Sequence, residues 1–284
     1  MFYTGISDEA GASIETQIKA HQQLGWEHIE LRTIDGINLV NLPEEKFQQV
    51  VEQLEGAGMR VSCFASEIAN WARKISGDFA RDVSDLKQAI PRMKRLGTRL
   101  IRIMSYPNDN WPEKDWKKEV FRRIKELATI AEEGDVILVH ENCYGWGGLS
   151  PENSLALLEA VDSPAFKLLF DTGNPPSEGQ DGWDFYTKVK EHIVYVHIKD
   201  AKQTRQGEKI QFTFAGAGDG YVKEIVRDLL ASGYDGGFSI EPHIASVIHL
   251  DQQADSDETA FNSYLEYGRR FMKLVEIINR SEVI

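Results

Sequence analysis

The sequence predicts an α/β fold of the closed kind, a single (β/α)8 TIM barrel spanning residues 1–284. Three observations lead there. Short apolar runs recur eight times, with longer amphipathic segments between them. Several of these runs are rich in Val, Ile and Phe without strict alternation, the pattern of strands buried on both faces of a parallel sheet. The turn after the first run, Ser7-Asp8-Glu9-Ala10-Gly11, is acidic. A doubly wound nucleotide fold needs a glycine-rich turn there. The length and a hydrophobic content of 42% supply one large core, and barrels of this kind occupy about 250 residues as one domain.

The predicted strands are Phe2–Ile6, His28–Leu31, Arg60–Phe64, Arg99–Met104, Val136–Val139, Phe166–Phe170, Ile193–Ile198 and Phe238–Ile240. Helices follow from the 3.6-residue period and from end signals. Ile14–Leu24 brings Ile14, Ile18 and Leu24 near one face, and Gly25 closes it. Pro43–Gly58 opens on proline and ends in Gly-Ala-Gly, the expected asymmetry of helix ends. Phe79–Leu96 has a helical pattern interrupted by Pro91, which predicts a kink or two shorter helices. Trp116–Glu132 repeats its apolar residues with a clear helical period. Ser150 caps the next helix, with Pro151 in its first turn. Tyr221–Ser232 and Glu258–Ile278 complete the set.

Bulk properties narrow the function. The net charge of −13, from 32 basic and 45 acidic residues, repels phosphate backbones at long range. Nucleic acid is therefore not the expected partner. Two cysteines, Cys63 and Cys143, are too few for a disulfide framework and read as reduced thiols. The N-terminal residues lack the basic-then-apolar pattern of a signal peptide. No apolar run approaches the ~20 residues of a membrane span. These features together predict a cytoplasmic protein without membrane contact.

In a β/α barrel the active site forms at the carboxyl ends of the strands. Strand five ends in His140-Glu141-Asn142, and strand six in Asp171-Thr-Gly-Asn174. Strand seven ends in His197-Ile-Lys199-Asp200, and strand eight in Glu241-Pro-His243. Four consecutive strands thus deliver Glu141, Asp171, His197 and Glu241 to one rim. Three carboxylates so close together repel unless something neutralises them, and a divalent cation does so. An oxygen-dominated set with one imidazole suits Mn2+ first, with Mg2+, Co2+ or Zn2+ as alternatives.

These segments, with the opening Gly5-Ile-Ser-Asp-Glu, resemble the xylose-isomerase-like barrel superfamily over essentially the whole chain. The similar branch is that of sugar-phosphate isomerases and epimerases, which includes ketose 3-epimerases, hydroxypyruvate isomerase and inosose dehydratase. The resemblance implies that Glu141, Asp171, His197 and Glu241 bind the metal, and that Glu141 and Glu241 are also the acid/base pair. Two positions depart from many relatives. Cys143 and Asn174 stand where those often have histidine. Asn174 can hydrogen-bond a substrate hydroxyl but cannot carry a proton.

The expected function is a divalent-metal-dependent isomerase or epimerase of a sugar or polyol ketone. It would act by carboxylate proton transfer through a metal-stabilised ene-diolate. A carbon–oxygen lyase, a dehydratase of the inosose or dehydroshikimate kind, is the alternative on the same site. Lys199 shares the strand face of His197 and either binds substrate or balances the rim charge. Glu9, Glu30, Arg32 and Glu67 follow early strands and read as solvated loop positions. Trp71, Trp111 and Trp146 lie in loops that can pack on a sugar, although ordinary packing explains each as well. His243 and His249 are not assigned to the metal. Gly216-Ala-Gly218-Asp-Gly220 is a weak phosphate-loop candidate.

Other classes fit less well. A DNA-repair endonuclease on this barrel needs a histidine-rich multinuclear zinc site. The ends of strands two and three instead carry Glu30, Arg32, Ser66 and Glu67, with no histidine. A non-catalytic sugar-binding module would be favoured by a missing ligand, and all four are present. The substrate is expected to be a small sugar or polyol, and a homo-oligomer is compatible with the sequence.

Overall fold

The apolar runs become eight strands in a computed structural model that describes residues 1–203, 209–245 and 256–281. They are β1 Phe2–Gly5, β2 His28–Leu31, β3 Arg60–Ala65 and β4 Leu100–Ser105. The second half supplies β5 Ile137–Gly145, β6 Phe166–Asp171, β7 Ile193–Ile198 and β8 Gly237–Ile240. All eight share one sheet in the order β1-β8-β7-β6-β5-β4-β3-β2. Apart from β1 and β2, which end the order, neighbours in sequence are neighbours in the sheet, so the strands form a nearly closed (β/α)8 barrel with helices between them.

The chain divides into two compact units. Met1–Ile29, Phe170–Lys188 and Tyr195–Ile284 form the first, and Glu30–Leu169 with Val189–Val194 form the second. In the first unit β1 pairs with β8 from Phe2↔Gly237 to Gly5↔Ile240. β8 pairs with β7 through Ser239↔His197. Helix α1, Ile14–Leu24, starts at a Ser13 cap and stops at left-handed Gly25, the stop that the sequence predicts. The C-terminal helix Asp257–Ser281 buries Tyr264, Tyr267 and Phe271. The Phe271 ring meets Phe238 of β8 edge-on at 5.8 Å.

In the second unit β4 pairs with β5 from Leu100↔Ile137 to Ile103↔His140, then shifts to Ser105↔Gly145. That irregularity falls directly after the predicted rim residue Glu141, where a bulge re-aims side chains. β5 pairs with β6 up to Glu141↔Leu169. Helices Glu44–Ala57, Phe79–Leu96, Glu113–Gly134 and Pro151–Val161 cover this unit. Ser150 caps the last of them by accepting the Asn153 N–H at 3.1 Å.

Two expectations change. Phe79–Leu96 is one helix with Pro91 inside it, so the two-helix alternative is not realised. Leu86, Ala89 and Met93 are fully buried on either side of the proline, and that packing holds the helix through the missing hydrogen bond. The crossover between β6 and β7 also contains helices Asn174–Ser177 and Gly182–Val189. Pro175, Pro176, Gly179 and Gly182 break the periodicity that would have revealed them. Among the described residues no helix is long and apolar enough to cross a membrane.

Candidate metal centre

Each candidate ligand owes its place to a strand end. In the first unit Asp171 ends β6, His197 lies one residue inside the end of β7, and Glu241 follows β8 directly. Asp171 and His197 are 0% exposed and Glu241 is 3% exposed. Asp171 serves two purposes. Its Oδ1 accepts the N–H groups of Gly173 at 2.7 Å and Asn174 at 2.8 Å, capping the next turn. Its Oδ2 lies 3.9 Å from His197 Nδ1. Glu241 Oε2 lies 3.8 Å from the same nitrogen.

Lys199 completes this cluster. Two residues beyond His197, its side chain takes the same strand face. Its Nζ stands 2.9 Å from Asp171 Oδ2 and 2.8 Å from Glu241 Oε2, with the residue 3% exposed. Its ammonium thus offsets part of the carboxylate charge here. Gly173 makes room for it, since a Cβ there would come within 2.6 Å of Lys199 Cγ. Asn174 stands at the first turn beyond Asp171, half-buried, with its N–H on the Asp171 carboxylate.

In the second unit Glu141 is 1% exposed. Arg102 of β4 places Nη1 3.4 Å from Glu141 Oε2 and donates from Nη2 to the Ser66 carbonyl at 3.2 Å. The sequence reading missed Arg102. Its signal was present, because a lone cation inside the apolar run Leu100-Ile-Arg-Ile-Met must find an anionic partner when buried. Glu30 was read as solvated, yet it is 0% exposed. It hydrogen-bonds Cys63, whose thiol is pushed well above its ordinary range, first by burial and then by the Glu30 charge.

In the first unit Asp171, His197 and Glu241 each offer one ligand atom, and these atoms lie within 4.8 Å of one another. The donor set fits a divalent ion. In the first unit alone, two buried carboxylates face a single ammonium, so one negative charge is left for a cation to offset.

Other predicted residues sort as follows. Glu9 and Arg32 are 5% and 9% exposed, so the solvated reading fails for both. Glu67 stays partly exposed and pairs with Arg73. Trp146 is 2% exposed and meets Phe121 edge-on at 5.0 Å, which is interior packing. Trp111 is half-buried and its N–H bonds Asn108, while Trp71 is 40% exposed. His249 lies outside the described residues. Cys63 and Cys143 are both free thiols. The glycine segment does cradle an anion, but the anion is Asp200. That carboxylate accepts the N–H groups of Gly216, Gly218 and Gly220 at 2.8, 2.9 and 3.0 Å.

With this geometry in hand, comparison with known proteins gives the family. A family profile described as xylose isomerase-like TIM barrel matches residues 18–267, and the chain belongs to that family. A curated relative, an inosose dehydratase of Geobacillus thermodenitrificans, is 30% identical over 132 residues, 42% of this chain and 44% of that protein. The match thus spans less than half the length of that relative. A solved D-tagatose 3-epimerase-like protein superimposes with a TM-score of 0.75 at 16% identity, covering 99% of each chain. A xylose isomerase-like TIM barrel protein from Mycobacterium smegmatis, solved with magnesium, superimposes at 0.68 and 16% identity over 97% of each. At these identities the structural likenesses show the fold alone.

Proposed function

We propose that the chain is a metal-dependent isomerase or epimerase of a sugar or polyol ketone, working as one barrel domain in the cytoplasm. The observation that carries this reading is the buried convergence of Asp171, His197 and Glu241 at consecutive strand ends of the first unit, with Glu141 buried on the preceding strand in the second. Mn2+ is the first choice of ion, and Mg2+, Co2+ and Zn2+ suit the same donors. When bound, the ion would polarise a substrate carbonyl and make the neighbouring C–H more acidic. Glu141 and Glu241 are then the proton-transfer groups. Lys199 and Asn174 hold substrate oxygens.

The outcome depends on where the proton returns. Removal by one carboxylate and return by the other inverts the carbon and gives an epimer. Return by the same carboxylate to the adjoining carbon gives an isomer. Departure of a hydroxyl from the next carbon gives dehydration. This last reading is favoured by the likeness to the inosose dehydratase, and it uses the same first proton transfer.

The test is hydrogen–deuterium exchange in D2O, followed by NMR, with ketoses, keto-inositols and hydroxypyruvate. Protein loaded with Mn2+ is expected to exchange the proton beside the carbonyl. Glu141→Gln and Glu241→Gln are expected to lower the rate by about 10²-fold or more. Failure to bind any divalent ion, or exchange unaffected by either substitution, defeats the reading.

A further inference from the structure

Between the starts of two helices in the first unit lies a cavity of about 420 Å³ that the metal centre does not use. One wall is the chain entering the helix Gly182–Val189, and the other is the chain entering the helix Val222–Ala231. Strand alternation separates the cavity from the centre. Lys199 turns toward Asp171 and Glu241, whereas Asp200, next in the chain, lines the cavity. There Asp200 accepts the N–H groups of Gly216 and Gly218, which also line it.

Tyr221 is the ring in this lining. It stands at the N-cap of the second helix with φ 55° and makes no side-chain hydrogen bond to the helix. Asparagine or glycine would meet both demands, a left-handed backbone and a cap, at lower cost. The tyrosine is instead 42% exposed. The Trp183 ring lies 6.4 Å from it, and Trp183 in turn meets Tyr186, whose hydroxyl bonds Asp228 Oδ2 at 2.7 Å. An exposed ring kept at a strained position and braced by two others is placed for contact rather than for folding.

Polar groups of both kinds surround the ring. Among the described residues the Tyr221 hydroxyl, the Lys223 ammonium and the Glu224 carboxylate make no hydrogen bond or ion pair. The Lys223 stem lies over Gly216, where a Cβ would come within 3.0 Å of Cε. Asp181 uses Oδ1 for the N–H groups of Trp183 and Asp184, at 2.9 and 3.0 Å, and keeps Oδ2 for a donor. A phosphate does not fit, because Asp200 already holds the glycine N–H groups and Asp181, Asp219 and Glu224 repel an anion. One shared metal ion does not fit either, since among the described residues these carboxylates form no group close enough to hold it. An apolar ligand would leave the polar groups unpaired. The lining asks for a neutral ligand with donors and acceptors on its edge and an apolar C–H face for the ring, which is the chemistry of a sugar.

We propose that this cavity is a second sugar site, which binds a neutral hexopyranose ring stacked on Tyr221 and hydrogen-bonded by Lys223, Glu224 and Asp181. Its volume lies within the range of about 300–1,000 Å³ usual for small-molecule sites. The site stands apart from the proton-transfer reading of the metal centre. A free sugar and the end of a glycan present the same ring.

The 15N signal of the Trp183 indole reports on the cavity. It would be followed with and without Mn2+ during titration with the methyl glycosides of glucose, galactose and mannose, which have no carbonyl for the metal centre to act on. At least one is expected to shift the signal to saturation, with a Kd that Mn2+ does not change. Tyr221→Asn suits both the cap and the left-handed backbone, so it should raise that Kd about tenfold or more without lowering the Tm. Lys223→Met keeps the stem over Gly216 and loses the ammonium, and it too should weaken binding. A disaccharide glycoside ending in the preferred ring then separates the sources. Tighter binding than the single ring assigns the end of a glycan, and binding no tighter assigns a free sugar. The proposal is overturned if no glycoside shifts the signal, if inorganic phosphate shifts it, or if Tyr221→Asn and Lys223→Met both bind as wild type does. Binding lost in Glu241→Gln but kept in Tyr221→Asn belongs to the metal centre and overturns it as well.

Discussion

Lys199 places one ammonium 2.9 Å from Asp171 and 2.8 Å from Glu241, with all three side chains buried. Removing one partner of such a cluster strands the others, at about 3–5 kcal/mol. Lys199→Met is therefore expected to lower the Tm of chelated protein sharply, and Mn2+ should raise the variant's Tm more than it raises the wild type's. Equal metal-induced shifts would show that the ammonium and the ion do not share these carboxylates. His21 gives a separate prediction. Burial lowers its pKa from 6.5 to about 4. Its ring bonds the Gln17 carbonyl and Tyr264 Oη. Between pH 4 and 6.5 the unfolded chain holds the extra proton. The stability contributed is then full above pH 6.5 and is lost as pH falls toward 4, by about 3 kcal/mol at most. His21→Asn should flatten the urea-unfolding free energy over that window relative to wild type. An unchanged slope would mean that His21 titrates alike in both states.

At the scale of elements, the segment after β7 shows how a backbone is held by one side chain. Asp200 is 0% exposed and accepts four N–H groups, from Ala201, Gly216, Gly218 and Gly220. Burial pushes its carboxyl above the ordinary range, against the pull of those donors. Gly218 fits only as glycine, because a Cβ would come within 2.2 Å of Asp200 Oδ1. Asp200→Asn sets an amide N–H against backbone donors. It is expected to destabilise the protein by about 1–3 kcal/mol, read as a lower urea midpoint. A midpoint unchanged from wild type would mean that the segment is held elsewhere. The glycines that resemble a phosphate loop therefore bind an anion supplied by the chain itself.

At the scale of the whole molecule, an ion held at the candidate centre would tie metal binding to stability. An ion that binds only the folded state stabilises it by about 2.7 kcal/mol at a hundredfold excess over Kd. The Tm should rise by several degrees with Mn2+ and return with a chelator. A Tm indifferent to every divalent ion would remove the centre. Much of this was legible in the sequence. The eight strands and the helices ending at Gly25 and starting at Ser150 follow from local pattern, because burial on both faces and helix capping act over a few residues. The four rim residues were legible for the same reason, each directly ending or following an apolar run.

The remainder needed the fold. Arg102 and Glu30 lie in runs that read simply as strand, and only their neighbours in the sheet show why a charge can be buried there. The Asp200 cradle joins residues 16 to 20 positions apart, and the hydrogen bond from the His243 N–H to Glu9 joins residues 234 apart. By itself the sequence determined the barrel, its strand ends and the identity of the candidate ligands, since these depend on periodicity and on residues adjacent in the chain. Tertiary structure alone decided which side chains face one another across strands, how Lys199 divides itself between two carboxylates, and which rings meet Tyr221. Those depend on register and packing, where contacts distant in sequence set the geometry.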